Sequence, residues 1–287
     1  MLGFSHLSTA LDVMWICPHC QQRLCWSPDE RSLACPEHHQ FDRAKEGYVN
    51  LLPSNRKRSK QPGDDRTMIA ARRRVLDAGF YEPLAKGVQA LLAEICGITT
   101  VVDIGCGEGY YTTTIADSLP DAKVFGIDIA KEAVRLAAKR HGRLHFAVAS
   151  AFNVPLATDG VDLATSVFAP VAGDELRRLL VPGGYYLKVV PGPRHLWSLR
   201  QGLYTNPQPH AAEPVTEQGF KALHTRSVDY TITLDGERLA DVVAMTPFAH
   251  RGHREKREAL LTRPDMTLEM AFELAVLQRS ADQSDCK

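Results

Sequence analysis

Glycine and acidic residues at two neighbouring points of the chain could hold a nucleotide-type ligand. The apolar run at 100–105 leads into a turn with glycine at every second position, and a second apolar stretch ends at Asp128. Glycine lets the backbone approach a ligand, and a carboxylate at the end of the next strand can bind ribose hydroxyls. We therefore expect Gly105 and Gly107 to lie against a cofactor and Asp128 to bind its ribose. Asp103 is included among the candidate cofactor-site residues, and we expect it to order the glycine-containing loop that follows it.

A second cluster, near the N-terminus, has the composition of a metal site. Its pattern is C-x2-C-x14-C-x3-H, which supplies three thiolates and one imidazole. This set fills the tetrahedral shell of structural zinc and leaves no position for water. The alternative, free thiols in a hairpin, is disfavoured by the spacing. His39 is preferred over its neighbour His38, and Cys25 is interpreted as a spare thiol. The predicted ligands are Cys17, Cys20, Cys35 and His39.

Between these two clusters the chain is strongly basic. Residues 54–74 contain eight basic and two acidic residues, whereas the whole chain has a net charge of zero. Arginine and lysine in such a segment can pair with phosphates, and the release of counterions then favours RNA binding. The alternative is a solvated linker followed by an exposed helix face. The predicted RNA contacts are Arg56, Lys57, Arg58, Lys60, Arg72 and Arg73.

The elements that must position these residues alternate between strand and helix, as an α/β sheet requires. Helical periodicity begins near residue 66 and continues in a second helix up to residue 95. Strands are predicted at 100–105, 123–128, 144–148, 161–168, 184–190, 225–234 and 272–279. Helices are predicted at 110–118, 131–140, 173–180 and 237–245. The proline- and histidine-rich segment 193–224 is expected to cap the ligand crevice.

Composition and patterning divide the chain into four parts. Residues 1–14 fit no element and are expected to be disordered, residues 15–53 form the zinc-binding module, residues 54–74 are the basic linker and helix start, and residues 75–287 are the cofactor domain. Met14 is a candidate translation start. We find neither an apolar window long enough for a membrane span nor a signal peptide. We therefore expect a cytoplasmic protein that does not enter membranes.

Two stretches resemble known families. The run from Asp103 to Gly109 has the spacing G-x-G-x-G after an acidic residue, which resembles motif I of the S-adenosylmethionine-dependent methyltransferases. The Cys-Pro-x-Cys motif at residue 17 and the run from His39 to Pro53 resemble the large-subunit ribosomal RNA guanine-N1 methyltransferases, the RlmA family. Pro191–Leu196 and Met245–Ala249 extend this similarity over nearly the whole chain from residue 15.

The resemblance implies a fold, a reaction and partners. The fold is a class I methyltransferase (Rossmann-like) α/β sheet of seven strands, the last antiparallel, with a small zinc-binding module. The reaction is methyl transfer from S-adenosylmethionine to N1 of a guanine in the hairpin 35 loop of 23S rRNA, by a homodimer. The family's cofactor residues correspond to Tyr81, Gly107, Glu108 and His195. Glu108 is expected at the amino-acid end of the cofactor.

Several alternatives stay open at this point. The family contains a housekeeping type, towards which the sequence leans, and a macrolide-resistance type that modifies a neighbouring guanine. Strand 161–168 ends in Phe168-Ala169-Pro170, which lacks the acidic or amide residue of amino-group methyltransferases and is compatible with attack by a ring nitrogen. Phe168 is either a base-stacking residue or a core residue, and the general base is not identified. A small-molecule or protein methyltransferase and a non-catalytic RNA-binding protein are the rival functions.

Overall fold

The computed structural model describes residues 14–53, 63–211, 214–249 and 253–280. A small sheet near the N-terminus contains β1 (Cys25–Trp26), β2 (Ser32–Ala34) and β3 (Gln40–Asp42). The large sheet contains β4 (Val49–Asn50), β5 (Thr100–Ile104), β6 (Lys123–Asp128), β7 (His145–Val148), β8 (Val161–Val167), β9 (Leu180–Pro191), β10 (Phe220–Asp235) and β11 (Asp265–Arg279). The helices are α1 (Arg66–Asp77), α2 (Glu82–Leu92), α3 (Tyr110–Ser118), α4 (Lys131–Arg140), α5 (Gly173–Leu179), α6 (Trp197–Leu203), α7 (Gly236–Ala244) and α8 (Arg254–Leu261).

The large sheet has the predicted fold class but one strand more than predicted. Its order is β10-β11-β9-β8-β5-β6-β7-β4, and β11 runs antiparallel to both of its neighbours. The prediction of seven strands is wrong because β4 joins the edge in parallel with β7, with Val49 opposite Ala147 and Asn50 opposite Val148. A strand of two residues is too short to show any period in the sequence.

Successive apolar residues of the central strands point to opposite faces of the sheet. Val101 on β5 and Leu163 on β8 pack in the core beneath α2 and α3, whereas Val102 and Ala164 belong to the core on the other face. Both faces are therefore covered, as a mostly parallel sheet requires. The near-continuous apolar runs of these strands follow from this double burial.

The N-terminal module shares the second of these cores. Trp15 is buried, its ring meets Phe125 of β6 edge-on at 5.0 Å, and its backbone bridges to Leu156. The connection from β7 to β8 contains no helix, and the module packs where this connection passes. The predicted boundary near residue 53 stays a prediction, but apolar contacts cross it. In the described ranges no helix is long and apolar enough to cross a membrane.

Candidate functional site

A large cleft opens at the carboxyl ends of the parallel strands. It lies where the strand order reverses between β5 and β8, which is the expected ligand position in an open α/β sheet. Its volume is about 1210 Å³. We call the part lined by 63–72, 105–108, 127–129 and 150–152 the glycine-loop half. The part lined by residues from 167–170, 189–210 and 245–248 is the distal half.

The loop after β5 is shaped by three glycines. Gly105, Gly107 and Gly109 all have positive φ, at 78°, 55° and 86°, a conformation that L side chains rarely adopt. A Cβ on Gly105 would collide with Ala169, which follows β8. Gly105 is therefore required by the approach of a neighbouring loop, whereas a Cβ on Gly107 would have only Arg72 within 4 Å, at 3.8 Å. Of the two glycines predicted to lie against the cofactor, Gly107 is the one that borders open space.

Asp128 is fixed at the end of β6 by backbone donors. Its two carboxylate oxygens accept the N–H groups of Gly107 at 3.0 Å and Ala130 at 2.7 Å. Burial raises its pKa above the ordinary value. Each carboxylate oxygen can accept two hydrogen bonds, so Asp128 retains acceptor capacity toward the cleft it lines.

Asp103 lies beneath the loop and does not line the cleft. Its carboxylate accepts the hydroxyls of Thr112 at 2.5 Å and Thr165 at 2.9 Å. Burial raises the pKa of Asp103 to about 6. These contacts join β5, β8 and α3 under the glycine loop, and the role of Asp103 in ordering this loop stays a prediction.

Glu108 presents an unsatisfied carboxylate at the cleft. Both of its oxygens are buried and neither has a hydrogen-bond partner among the described residues. Burial raises its pKa, and the nearby charge of Arg72 acts in the opposite direction. A buried polar group normally has a partner, so this site fits a cationic ligand group.

Arg72 lies in the same half of the cleft, which changes the interpretation of this residue. Its guanidinium pairs with Asp64, and its side chain is 25% exposed. The RNA contact predicted for Arg72 stays a prediction, and in the structure the charges of Asp64, Glu108 and Asp128 act on its guanidinium. Arg73 is more exposed, at 47%, and pairs with Asp77 at 3.5 Å. The predicted RNA contacts Arg56, Lys57, Arg58 and Lys60 lie outside the described residues.

Tyr81 and His195 both line the cleft, as the resemblance implied. Tyr81 is buried at the start of α2, and its ring lies 5.7 Å from that of Phe272. His195 belongs to the distal half, where its Nδ1 accepts the N–H of Ala271 at 3.4 Å. Burial, together with the charges of neighbouring basic groups, lowers the pKa of His195 to about 3. His195 is therefore a neutral imidazole with its proton on Nε2.

Two exposed phenylalanines stand at the cleft. Phe152 is 62% exposed in the glycine-loop half and Phe168 is 43% exposed in the distal half. Phe168 has a φ of 61°, which is unusual for a bulky residue and concentrates at functional sites. This exposure excludes a core position for Phe168. The signal that could have identified Phe152 is its location in the loop that follows the predicted strand at 144–148.

The predicted zinc ligands converge in the N-terminal module. The ligand atoms of Cys17, Cys20, Cys35 and His39 all lie within 4.8 Å of one another. The sulfurs of Cys20 and Cys35 are 3.5 Å apart, and Nδ1 of His39 is 3.3 Å from the sulfur of Cys35. Two sulfurs on one tetrahedral zinc are about 3.8 Å apart, given Zn–S bonds of about 2.3 Å. The cluster therefore fits one zinc ion.

The residues left outside this cluster follow the prediction. His38 is exposed at a turn with a φ of 62°, and Cys25 is exposed on β1. Two tight turns present the ligands: the Cys17 carbonyl accepts the N–H of Gln21, and the Cys35 carbonyl accepts the N–H of His38. Each turn folds the chain back so that the second ligand of its pair, Cys20 or His39, returns to the first.

Comparisons with known proteins agree with this arrangement. The family model of the RlmA N-terminal zinc ribbon matches residues 15–60, and a methyltransferase-domain model matches residues 101–184. The 23S rRNA (guanine(748)-N(1))-methyltransferase of Streptomyces fradiae is 35% identical over 268 residues, covering 89% of this chain and 94% of the relative. The YxjB protein of Bacillus subtilis (strain 168) is 31% identical over 256 residues, covering 85% and 89%. A relative from Micromonospora griseorubida is 36% identical over 201 residues, covering 64% and 67%.

The family prediction is thereby confirmed, together with the cofactors that it implies. The identity to the Streptomyces fradiae enzyme extends over both the zinc ribbon and the α/β sheet. The sheet with its cleft accounts for S-adenosylmethionine, and the cysteine–histidine cluster accounts for zinc. The chain belongs to the RlmA family of 23S rRNA (guanine-N1)-methyltransferases, which use S-adenosylmethionine and carry an N-terminal zinc ribbon.

Proposed function

We propose that this protein transfers a methyl group from S-adenosylmethionine to N1 of a guanine in the hairpin 35 loop of 23S rRNA. The observation that carries the proposal is the cleft with two chemically different halves. The glycine-loop half contains three carboxylates, whereas the distal half contains an exposed aromatic ring and basic side chains. A methyl donor and a nucleobase acceptor need these two surfaces side by side.

The glycine-loop half supplies the groups that hold the donor. The Glu108 carboxylate binds the α-amino group, Arg72 binds the α-carboxylate, and the free lone pairs of Asp128 accept the ribose hydroxyls. Tyr81 completes the wall of the donor site, together with His195 from the adjoining distal half. When bound, S-adenosylmethionine supplies an electrophilic methyl group. The assignment of Arg72 to the donor follows from its position beside Glu108.

The distal half receives the base, and Phe168 stacks on it. N1 of guanine is engaged in a base pair within a duplex, so the target must be unpaired, as in a hairpin loop. The exposed ring of Phe168 is available for this contact, which is worth about 1–3 kcal/mol per base.

The zinc ribbon holds its ion through Cys17, Cys20, Cys35 and His39 and presents the adjoining basic segment to RNA. Phosphate contacts come from Arg56, Lys57, Arg58 and Lys60, which follow the ribbon in the sequence, and from Arg73 on α1. We further propose that the enzyme acts in the cytoplasm as a homodimer. Light scattering coupled to gel filtration tests the dimer.

One experiment decides among the functions. The purified protein is incubated with labelled S-adenosylmethionine and 23S rRNA that lacks the modification, and the product is mapped by reverse transcription. Methylation at N1 blocks base pairing, so reverse transcriptase stops one nucleotide before the product. Label in protein or in small molecules supports the rival methyltransferase, and no label supports the non-catalytic binding protein.

The same map identifies the guanine. The Streptomyces fradiae relative is named for guanine 748, which favours that position over the housekeeping type toward which the sequence leans. A stop that maps the methylated base to 748 assigns the macrolide-resistance type, and one that maps it to a neighbouring guanine assigns the housekeeping type.

A further inference from the structure

The two halves of the cleft differ in the sign of their charges. The carboxylates that line the cleft in the described part of the chain are Asp64, Glu108 and Asp128, and all three belong to the glycine-loop half. The titratable and charged residues of the distal half are His195, Arg200, Tyr204 and His210. The half that receives the base therefore offers a cation and, within the described residues, no carboxylate base.

Arg200 is the permanent charge of the distal half, and it is held in place. Its Nη1 donates to the carbonyl of Gln208 at 3.0 Å, and its guanidinium lies 5.5 Å from the centre of the Phe248 ring. Its Nε is buried and has no partner among the described residues. No carboxylate of the described residues pairs with Arg200. A buried N–H donor without a partner needs an acceptor.

The charged groups on the elements around α6 have other partners. Both oxygens of Glu269 on β11 accept bonds from Ser198, and the charge of Arg194 lies 3.9 Å away. Lys256 on α8 donates to Thr205. These contacts leave the guanidinium of Arg200 without a neutralising anion from α6, α8 or β11.

Guanine presents the matching acceptors. Its O6 and N7 form the pair that an arginine fork recognises most often. N1 carries a proton at neutral pH, and after this proton leaves the negative charge is shared with O6. A cation at O6 therefore favours the nucleophilic form of the base, in the same way that an oxyanion hole stabilises a developing charge.

We propose that Arg200 binds the O6/N7 edge of the target guanine and stabilises its N1-deprotonated form, so that the N1 proton passes to solvent rather than to a protein carboxylate. This inference rests on the function proposed above. The N1 lone pair then forms the N–CH3 bond, while the S–CH3 bond breaks and its electron pair stays on sulfur. O6 returns to a carbonyl, and the products are the neutral N1-methylguanine and the uncharged thioether.

His195 is unsuited to the role of base. Its Nδ1 accepts the backbone N–H of Ala271, so the remaining nitrogen carries a proton and donates. His210 is the other histidine that lines the distal half, and it is therefore the candidate for a conventional protein base. The test therefore includes both Arg200 and His210.

The test measures single-turnover methylation of a 23S rRNA fragment from about pH 6 to about pH 9.5. We expect the wild-type rate to rise tenfold per pH unit and then level off. Arg200→Ala should lower the rate about 100-fold at neutral pH and shift the inflection at least one unit upward, so that much of the activity returns in alkali. Arg200→Lys, which keeps the charge, should shift less. Arg194→Ala, a neighbouring exposed arginine, is the matched control and should leave the inflection in place.

A second measurement tests the proposed contact between Arg200 and N7 of the target guanine. In a target containing 7-deazaguanosine, the wild type should lose about 10-fold in rate because one arm of the fork has no acceptor. Arg200→Ala should show no further loss with this base. If Arg200→Ala folds poorly, the comparison is made with Arg200→Lys, which should lose less than the wild type.

The outcomes separate this inference from the function on which it rests. If the wild type does not methylate 23S rRNA, the proposed function fails. If it does, but Arg200→Ala lowers the rate equally at every pH, or both enzymes lose equally on 7-deazaguanosine, only the role of Arg200 is overturned. A pH inflection that His210→Gln abolishes would likewise overturn it, because it would identify a protein base.

Discussion

Glu108 combines two properties that normally exclude each other, a carboxylate charge and burial without a partner. Burial raises its pKa above the unfolded value, so without cofactor the charged form destabilises the fold at neutral pH. This penalty is relieved as the pH falls through the raised pKa. Cofactor affinity should depend on pH in the opposite sense. The ammonium group of the cofactor needs the charged carboxylate of Glu108, so the affinity should weaken as the pH falls over the same range.

The first prediction is that Glu108→Gln stabilises the cofactor-free protein and weakens cofactor binding. The amide removes the unpaired charge, so the melting temperature should rise, whereas the loss of a charge-assisted bond should weaken S-adenosylhomocysteine binding about 10- to 100-fold. Calorimetry measures both quantities. Glu255→Gln, on the exposed start of α8, is the control and should change neither. Unchanged affinity for Glu108→Gln would remove Glu108 from the cofactor site.

The two exposed phenylalanines form a matched pair for a second prediction. Phe168→Ala should lower kcat/KM for RNA about 10-fold through lost stacking, with unchanged affinity for S-adenosylhomocysteine. Phe152→Ala should instead weaken the cofactor, because Phe152 lines the glycine-loop half. Steady-state kinetics with each substrate varied in turn separates the two. The same effect from both variants would contradict the division of the cleft.

At the scale of elements, the zinc ribbon is continuous with the core of the large sheet. Trp15, Leu24 and Leu33 pack in the same cluster as Val102 and Phe125. Loss of the metal should therefore not release an independent module but loosen one face of the catalytic sheet.

The third prediction is that zinc removal lowers the stability of the whole enzyme. Strong chelation or Cys35→Ser should lower the single unfolding midpoint by about 10 °C and reduce cofactor binding with it. Cys25→Ser is the matched control, since Cys25 is exposed outside the cluster. Scanning calorimetry with zinc analysis tests this. Two separate transitions, with the upper one unaffected, would show that the ribbon is independent.

The elements that could be predicted are those whose sequence pattern is local. The central strands and α1 to α5 carry their own period, and the glycine loop and the zinc ligands carry their spacing. β4 could not be predicted, because its pairing with β7 is decided by a partner about a hundred residues away. α6 and α8 are short and draw their stability from mutual packing around Gly202 and Leu260. The position of Arg72 at the cleft could not be predicted for a related reason: a run of three arginines does not reveal which of them faces a cleft.

At the scale of the whole molecule, RNA affinity must come from local charge because the chain has equal numbers of acidic and basic residues. The fourth prediction concerns the four basic residues within 56–60. Replacing all four with glutamine should make the negative slope of log K against log salt shallower by about 3. Cofactor affinity should not change. Arg254→Gln, whose charge is neutralised by Glu258, is the control. Filter binding over a salt series measures the slope, and an unaltered slope would exclude these residues from phosphate contact.

The metal ligands and the residues that pack on Trp15 lie far apart in the sequence, and this distance affects how the protein folds while it is being synthesised. The four cluster residues lie between Cys17 and His39, so the ribbon can close as soon as this stretch leaves the ribosome. The surface that covers Trp15 includes Phe125 and Leu156, which are made much later. During translation, zinc can therefore keep the ribbon folded before the part of the large sheet on which Trp15 packs has been synthesised. A cell short of zinc should accumulate nascent chains in which residues 14–42 stay open to proteases, even though the chemistry of the finished enzyme takes place in a different part of the molecule.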